Sequence, residues 1–182
     1  MQSIAVQRSG DETIVDFETQ INGTILVLKV DYRLKSREVW KGQVLQSIDS
    51  NTTQNDDKFF VRARREEAGL NVESSSINRI VKGNPGTTTI FVPDILDRSV
   101  WVSSQTGRPL KVAIENRGTV DFKLGNQTIR STHYFCGGEL RYPIDAYFRE
   151  DGELVAFFIK AFGRKNEFVA TDLSTPLRPL WA

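Results

Sequence analysis

The sequence predicts one soluble, nearly all-β domain: an antiparallel meander of about ten strands curled into a half-open or closed barrel, with at most one short helix. Two observations carry this. Apolar residues recur at every second position in several runs, as in a strand, where successive side chains point to opposite faces. Between the runs stand pairs rich in glycine and asparagine, which suit the positive φ of tight hairpin turns.

The first clear run is residues 24–34, with Leu26, Leu28, Val30, Tyr32 and Leu34 on one face and Lys29, Asp31 and Arg33 on the other. The alternation returns at Leu110, Val112 and Ile114, at Val120, Phe122 and Leu124, and at Leu140, Tyr142, Ile144, Ala146 and Phe148. Asn22-Gly23, Lys41-Gly42, Gly125-Asn126 and Asp151-Gly152 read as two-residue turns, and Asn116-Arg117-Gly118 and Glu67-Ala68-Gly69 as slightly longer ones. Pro93 opens the one helical candidate, Asp94 to Arg98. Residues 82–88 read as a surface loop, and the tail from about 173 as irregular, with Trp181 packed back on the body. No linker or repeat divides residues 1–182, so a single domain is expected. A flat meander leaves two exposed edges, and curling the sheet removes that liability.

Composition excludes several partners. The formal charge is +1, from 24 Lys and Arg against 23 Asp and Glu, so no global field gathers phosphates and nucleic acid is not expected. No apolar run approaches the roughly 18 residues of a membrane-spanning helix, so no transmembrane segment is expected. The start, MQSIAVQRSGDE, lacks the basic and apolar regions of a signal peptide. The expected location is cytoplasmic if the chain is complete as given, and periplasmic if a leader was removed. Cys136 is the only cysteine, which excludes an intrachain disulfide. One His and one Cys cannot build a structural zinc site. Residues Asp49 to Asp57 resemble a calcium loop but carry Gln54 in place of the turn glycine and Phe60 in place of the bidentate glutamate. They read as a long, solvated hairpin loop. No phosphate loop, dinucleotide fingerprint or nucleophile elbow is present, so no metal and no cofactor is expected.

Four side chains are candidates for catalysis: Glu38, His133, Tyr142 and Lys160. Glu38 shares a strand face with Trp40, and it lies either inside, needing a partner such as Arg62, Arg64 or Lys160 to stay charged, or solvated at the rim. His133 and Cys136 face opposite sides of a strand, which argues against a nucleophile and base pair. Lys160 lies on the face of Leu154, Ala156, Phe158 and Phe162, where it either reads a ligand or reaches to the rim. Eleven Phe, four Tyr and three Trp exceed what a meander with few helices needs, and a curved sheet can wrap an apolar ligand. Trp40, Trp101, Tyr142 and Phe158 are the expected wall residues.

The segment Glu38-Val39-Trp40-Lys41-Gly42-Gln43-Val44-Leu45, followed by the Ser/Thr/Asn stretch at 50–53, resembles the uncharacterised bacterial domain-of-unknown-function family 6134. Ser104-Gln105-Thr106-Gly107 and Tyr147-Phe148-Arg149-Glu150-Asp151-Gly152-Glu153-Leu154-Val155 extend the resemblance, which spans roughly residues 13–173. The family usually begins with an exported leader and a first hairpin with a glycine turn, and this chain starts partway into that region. The resemblance implies a curved, lipoprotein-carrier-like β fold, a periplasmic setting where a leader is removed, and no catalytic residue. The expected function is binding of a lipid or other apolar small molecule in the concave interior. The alternative is a small barrel enzyme, a cyclase or isomerase, acting on an apolar substrate there. Oligomeric state is not legible.

Overall fold

In a computed structural model, residues 2–25, 28–161, 163–171, 173 and 175–181 are described, the side chains at 24, 25, 28, 29 and 164 excepted. Leu26 and Phe162, and the side chain of Leu28, which the alternation above invoked, lie outside the described residues. Those described form fifteen strands and two short 3-10 helices, Ile95–Asp97 and Arg178–Trp181.

Seven strands pair antiparallel in chain order: β1 (Gln2–Ser9), β2 (Glu12–Ile25), β3 (Leu28–Lys41), β4 (Val44–Gln54), β5 (Asp57–Glu66), β6 (Gly69–Ser74) and β7 (Asn78–Val81). A small sheet joins β8 (Gly86–Thr87), β9 (Val100–Val102) and β10 (Pro109–Lys111), with β8 parallel to β9. The third sheet is again an antiparallel meander: β11 (Ile114–Leu124), β12 (Gln127–Cys136), β13 (Ile144–Arg149), β14 (Leu154–Ala161) and β15 (Arg164–Val169). The chain falls into two compact units, Met1–Leu110 with Leu180–Ala182, and Lys111–Pro179.

In the first unit one face of the seven-stranded sheet is core. Register aligns Val15, Glu38, Ile48, Ala63 and Val72 across β2 to β6, and all five are buried. The opposite face carries a row of alternating sign, Asp16, Arg37, Asp49, Arg62 and Glu73, on the same five strands. Arg37 bonds Asp16 at 2.7 Å and Arg62 meets Asp49 at 3.2 Å. Such exposed pairs are screened by water and add little stability. Their use is to mark which face stays in water, because a one-residue slip in register would bury the whole row. Trp181 packs back as expected, its ring centroid 5.7 Å from that of Trp40.

Several turn assignments move. Asn22-Gly23 lies within β2 and pairs with Asp31 and Val30, and the pairing continues to Ile25 and Leu28. Asn116-Arg117-Gly118 is a bulge in β11, where the register slips between Asn116 and Thr119, and the Asn116 carboxamide accepts the Gly118 N–H at 2.8 Å. The long loop expected at Asp49 to Asp57 is strand β4 up to Gln54, followed by a two-residue turn, and Ser50 and Thr52 are buried. Polar side chains there do not prevent a strand, because β3 and β5 satisfy its backbone on both sides. The surface loop read at 82–88 ends in β8, whose Gly86 and Thr87 are both buried.

In the second unit, Gly138 holds φ +78°, and a Cβ there would lie 2.5 Å from the Lys111 carbonyl oxygen. Gly138→Ala is expected to cost about 2 kcal/mol or more, combining left-handed strain with a backbone clash. Urea unfolding checks this.

Candidate functional site

Glu38, on β3, is 1% exposed. Its Oε2 accepts the Trp40 indole N–H at 3.2 Å and the Thr87 hydroxyl at 3.0 Å, and its Oε1 accepts the Thr89 hydroxyl at 3.0 Å. The reading of Glu38 as solvated at the rim is therefore corrected. Its partners are also not Arg62, Arg64 or Lys160 but neutral donors. Burial without a countercharge pushes its pKa from 4.5 up to about 7, against the opposing pull of the three hydrogen bonds. Next to this cluster, Ile90 is buried with φ +61°, a left-handed conformation that a β-branched residue adopts only at a cost.

Arg98 secures the same region. Its guanidinium reaches Asp94, the carbonyls of Pro85 at 2.9 Å and Gln43 at 2.5 Å, and stands 5.3 Å from the Trp40 ring centroid. Trp101 donates its indole N–H to the Arg98 carbonyl at 3.0 Å. Trp40 and Trp101 are both fully buried, so their rings contact protein. The Glu38 carboxylate is likewise turned to protein groups, Trp40, Thr87 and Thr89.

The second unit offers a different surface. One face of its sheet is packed, with Phe157 stacked on Phe168 at 4.6 Å and Ile144, Ala146 and Phe148 buried. On the other face Phe135, Asp145 and Phe158 align across β12 to β14, beside His133 and Tyr147. Phe122, Tyr147 and Phe158 place their ring centroids 5.2 to 6.1 Å apart. The His133 ring lies parallel to Tyr147 at 4.6 Å, with its Nε2 2.7 Å from an Asp145 oxygen. These rings are half-buried. Cations rim the patch: Lys165 stands 4.0 Å from the Phe158 centroid and Arg117 4.2 Å from that of Phe135.

The structure thus brings Glu38 to Trp40, and His133 to the Phe158 cluster through Tyr147. Lys160 lies two residues beyond Phe158 on the same face and is exposed. Tyr142 precedes β13 in a bend, 5.3 Å below the Arg141 guanidinium. Cys136 is buried, which pushes its thiol up to about 12 and leaves it a poor nucleophile. Among the described residues no cluster of three or more His, Cys, Asp or Glu could hold a metal, and no helix is long and apolar enough to cross a membrane. Sequence reasoning missed Thr87, Thr89, Asp145 and Tyr147. The last two were legible, since they alternate with Ile144, Ala146 and Phe148.

A shallow hollow of about 490 Å³ also lies over the first sheet, lined by Asp16, Glu18, Lys35, Arg37, Asp49 and Asn51 among others. Its mixed charges suit water better than an apolar ligand.

Residues 1–171 match a family described as a domain of unknown function, DUF6134. No curated protein matches the sequence. A similar solved structure is the β-barrel-like protein of the domain of unknown function DUF1849 from Brucella abortus, at 7% identity and a TM-score of 0.65. The match covers 93% of this chain and 85% of that one. The likeness is one of fold, barrel-like and all-β.

Proposed function

Since the chain belongs to the DUF6134 family, whose description names no activity, we propose from its geometry that it binds a lipid or other apolar small molecule on the aromatic face of the five-stranded sheet. The observation that supports this is the cluster of Phe122, Tyr147 and Phe158, three mutually packed rings left half-buried rather than sealed. Half-exposed aromatic groups retain apolar area that a ligand can cover, at roughly 25 cal/mol per Å². The cations at the rim suit a ligand whose polar end stays near water. Phe158 is a wall residue in this reading, whereas Trp40 and Trp101 serve the packing of the first unit. The family match runs through both units, which supports treating them as one functional domain.

Titration of the full chain with N-phenyl-1-naphthylamine, a neutral apolar fluorophore, tests the proposal. Saturable enhancement is expected, weakened about tenfold by Phe158→Ala. Absence of saturable binding overturns it.

The second reading, a cyclase or isomerase, draws on the His133 and Asp145 pair. A carboxylate on Nε2 fixes the tautomer and leaves the other ring nitrogen to move a proton. Unchanged turnover of the bound compound by His133→Gln would dispose of that role. Glu38 is sealed and hydrogen-bonded within the first unit and Lys160 is exposed, so they carry less of this reading.

A further inference from the structure

Six buried polar atoms of the first unit lack a hydrogen-bond partner among the described residues: Gln2 Oε1, Thr19 Oγ1, Ser36 Oγ, Ser50 Oγ, Thr52 Oγ1 and Arg65 Nη2. All but the last fall in two adjacent rows. Register puts Gln2, Thr19, Leu34 and Thr52 in one cross-strand row over β1 to β4. Ile4, Phe17, Ser36 and Ser50 form the next row on the same strands. Both rows lie on the inner face, because they are spaced by two residues from the buried row of Val15, Glu38 and Ile48. The four hydroxyl residues are 0–6% exposed.

A buried hydroxyl without a partner carries its full desolvation cost, and native proteins retain few of them. Four hydroxyls and a carboxamide oxygen on two adjacent rows form a local surplus of hydrogen-bonding capacity. No residue of either row carries a charge, and their other members are Ile4, Phe17 and Leu34. Such a surface matches a molecule that is apolar in body, uncharged, and equipped with several hydroxyl or ester oxygens. Ser36 and Ser50 face each other across one strand spacing of about 4.8 Å, and Thr52 lies a two-residue rise of about 6.7 Å from Ser50, so one small polar head can reach all three. Phe91 packs on Phe17 at 6.0 Å between centroids, directly after the strained Ile90.

We propose that these rows are the binding site for the head of a neutral acylglycerol-like molecule, held by Thr19, Ser36, Ser50 and Thr52. The site belongs to the first unit alone and does not depend on the aromatic face.

The test uses the full chain, calorimetric titration with 1-monodecanoylglycerol and with decanoate, and the triple variant S36A/S50A/T52V. The wild type is expected to bind the neutral glyceride at least tenfold more tightly than the anion. The variant should lose that preference while its Tm without ligand rises by a few degrees, since hydroxyls without partners are then absent. A higher Tm with the preference intact overturns the proposal and leaves the hydroxyls as costly core residues. Failure of the wild type to bind the glyceride overturns it as well, as does a crystal structure in which ordered waters alone satisfy these atoms. The aromatic face is judged separately, by the naphthylamine titration of Phe158→Ala.

Discussion

Replacing Glu38 by alanine is expected to destabilise the protein by about 3–5 kcal/mol, the range for deleting a buried side chain and stranding its partners. The Trp40 N–H and the Thr87 and Thr89 hydroxyls, all buried, would lose Glu38 as acceptor, leaving the two hydroxyls only each other at 2.8 Å. Glu38→Gln should behave oppositely. Its carbonyl can accept from Trp40 and Thr87, its amide can donate to Thr89, and no charge remains to desolvate. The two variants therefore separate the hydrogen bonds, which stabilise, from the carboxylate charge, which does not.

The pH dependence follows. In the folded protein Glu38 takes up its proton at about 7 rather than at 4.5. A raised folded value means that its contribution is complete below about pH 4.5 and is lost as pH rises to about 7, where it levels off. That interval corresponds to about 3 kcal/mol. Asp16 and Asp151 work in the other direction, held low mainly by hydrogen bonds from Arg37 and Arg149, so their contributions fade only in acid below this window. Wild-type stability should fall between pH 5 and 7, while Glu38→Gln stays flat across that range and exceeds the wild type at pH 8. Urea unfolding at several pH values reads both curves.

Arg98→Met is expected to cost a further large amount, about 3 kcal/mol, because it removes the buried partner of a half-buried ion pair together with the donor to buried carbonyls. Arg98 is 6% exposed, and its loss leaves the Asp94 carboxylate and the Pro85 carbonyl without their Arg98 donor and the Gln43 carbonyl with the Asn84 amide alone. Arg98→Lys should recover little, since one ammonium cannot span the planar fork that reaches these groups together. The β3–β4 turn, the segment before β8 and the first 3-10 helix should loosen together. Hydrogen exchange would show this as a common loss of protection there.

Much of the fold was legible because period-two alternation survives wherever one face is core. The run through Val30, Tyr32 and Leu34 and the run through Ile144, Ala146 and Phe148 are strands for that reason. The reading failed where side-chain chemistry and backbone pairing disagree. Asn22-Gly23 has turn chemistry but is paired in the middle of a long hairpin, and Asp49 to Gln54 look like loop yet are flanked by strands. The pairing of Glu38 with Thr87 and Thr89 was not legible, because it spans about fifty residues and ends in a segment whose Gly and Pro content reads as loop. Buried hydroxyls at Ser36, Ser50 and Thr52 were hidden for the same reason: their types indicate solvent, and only register places them inside.

Native mass spectrometry of the protein purified from its own host, under gentle and then denaturing conditions, tests ligand binding most directly. The proposed function predicts one stoichiometric mass excess that denaturation releases as an apolar or neutral amphiphilic small molecule. The bare chain mass under both conditions would contradict it.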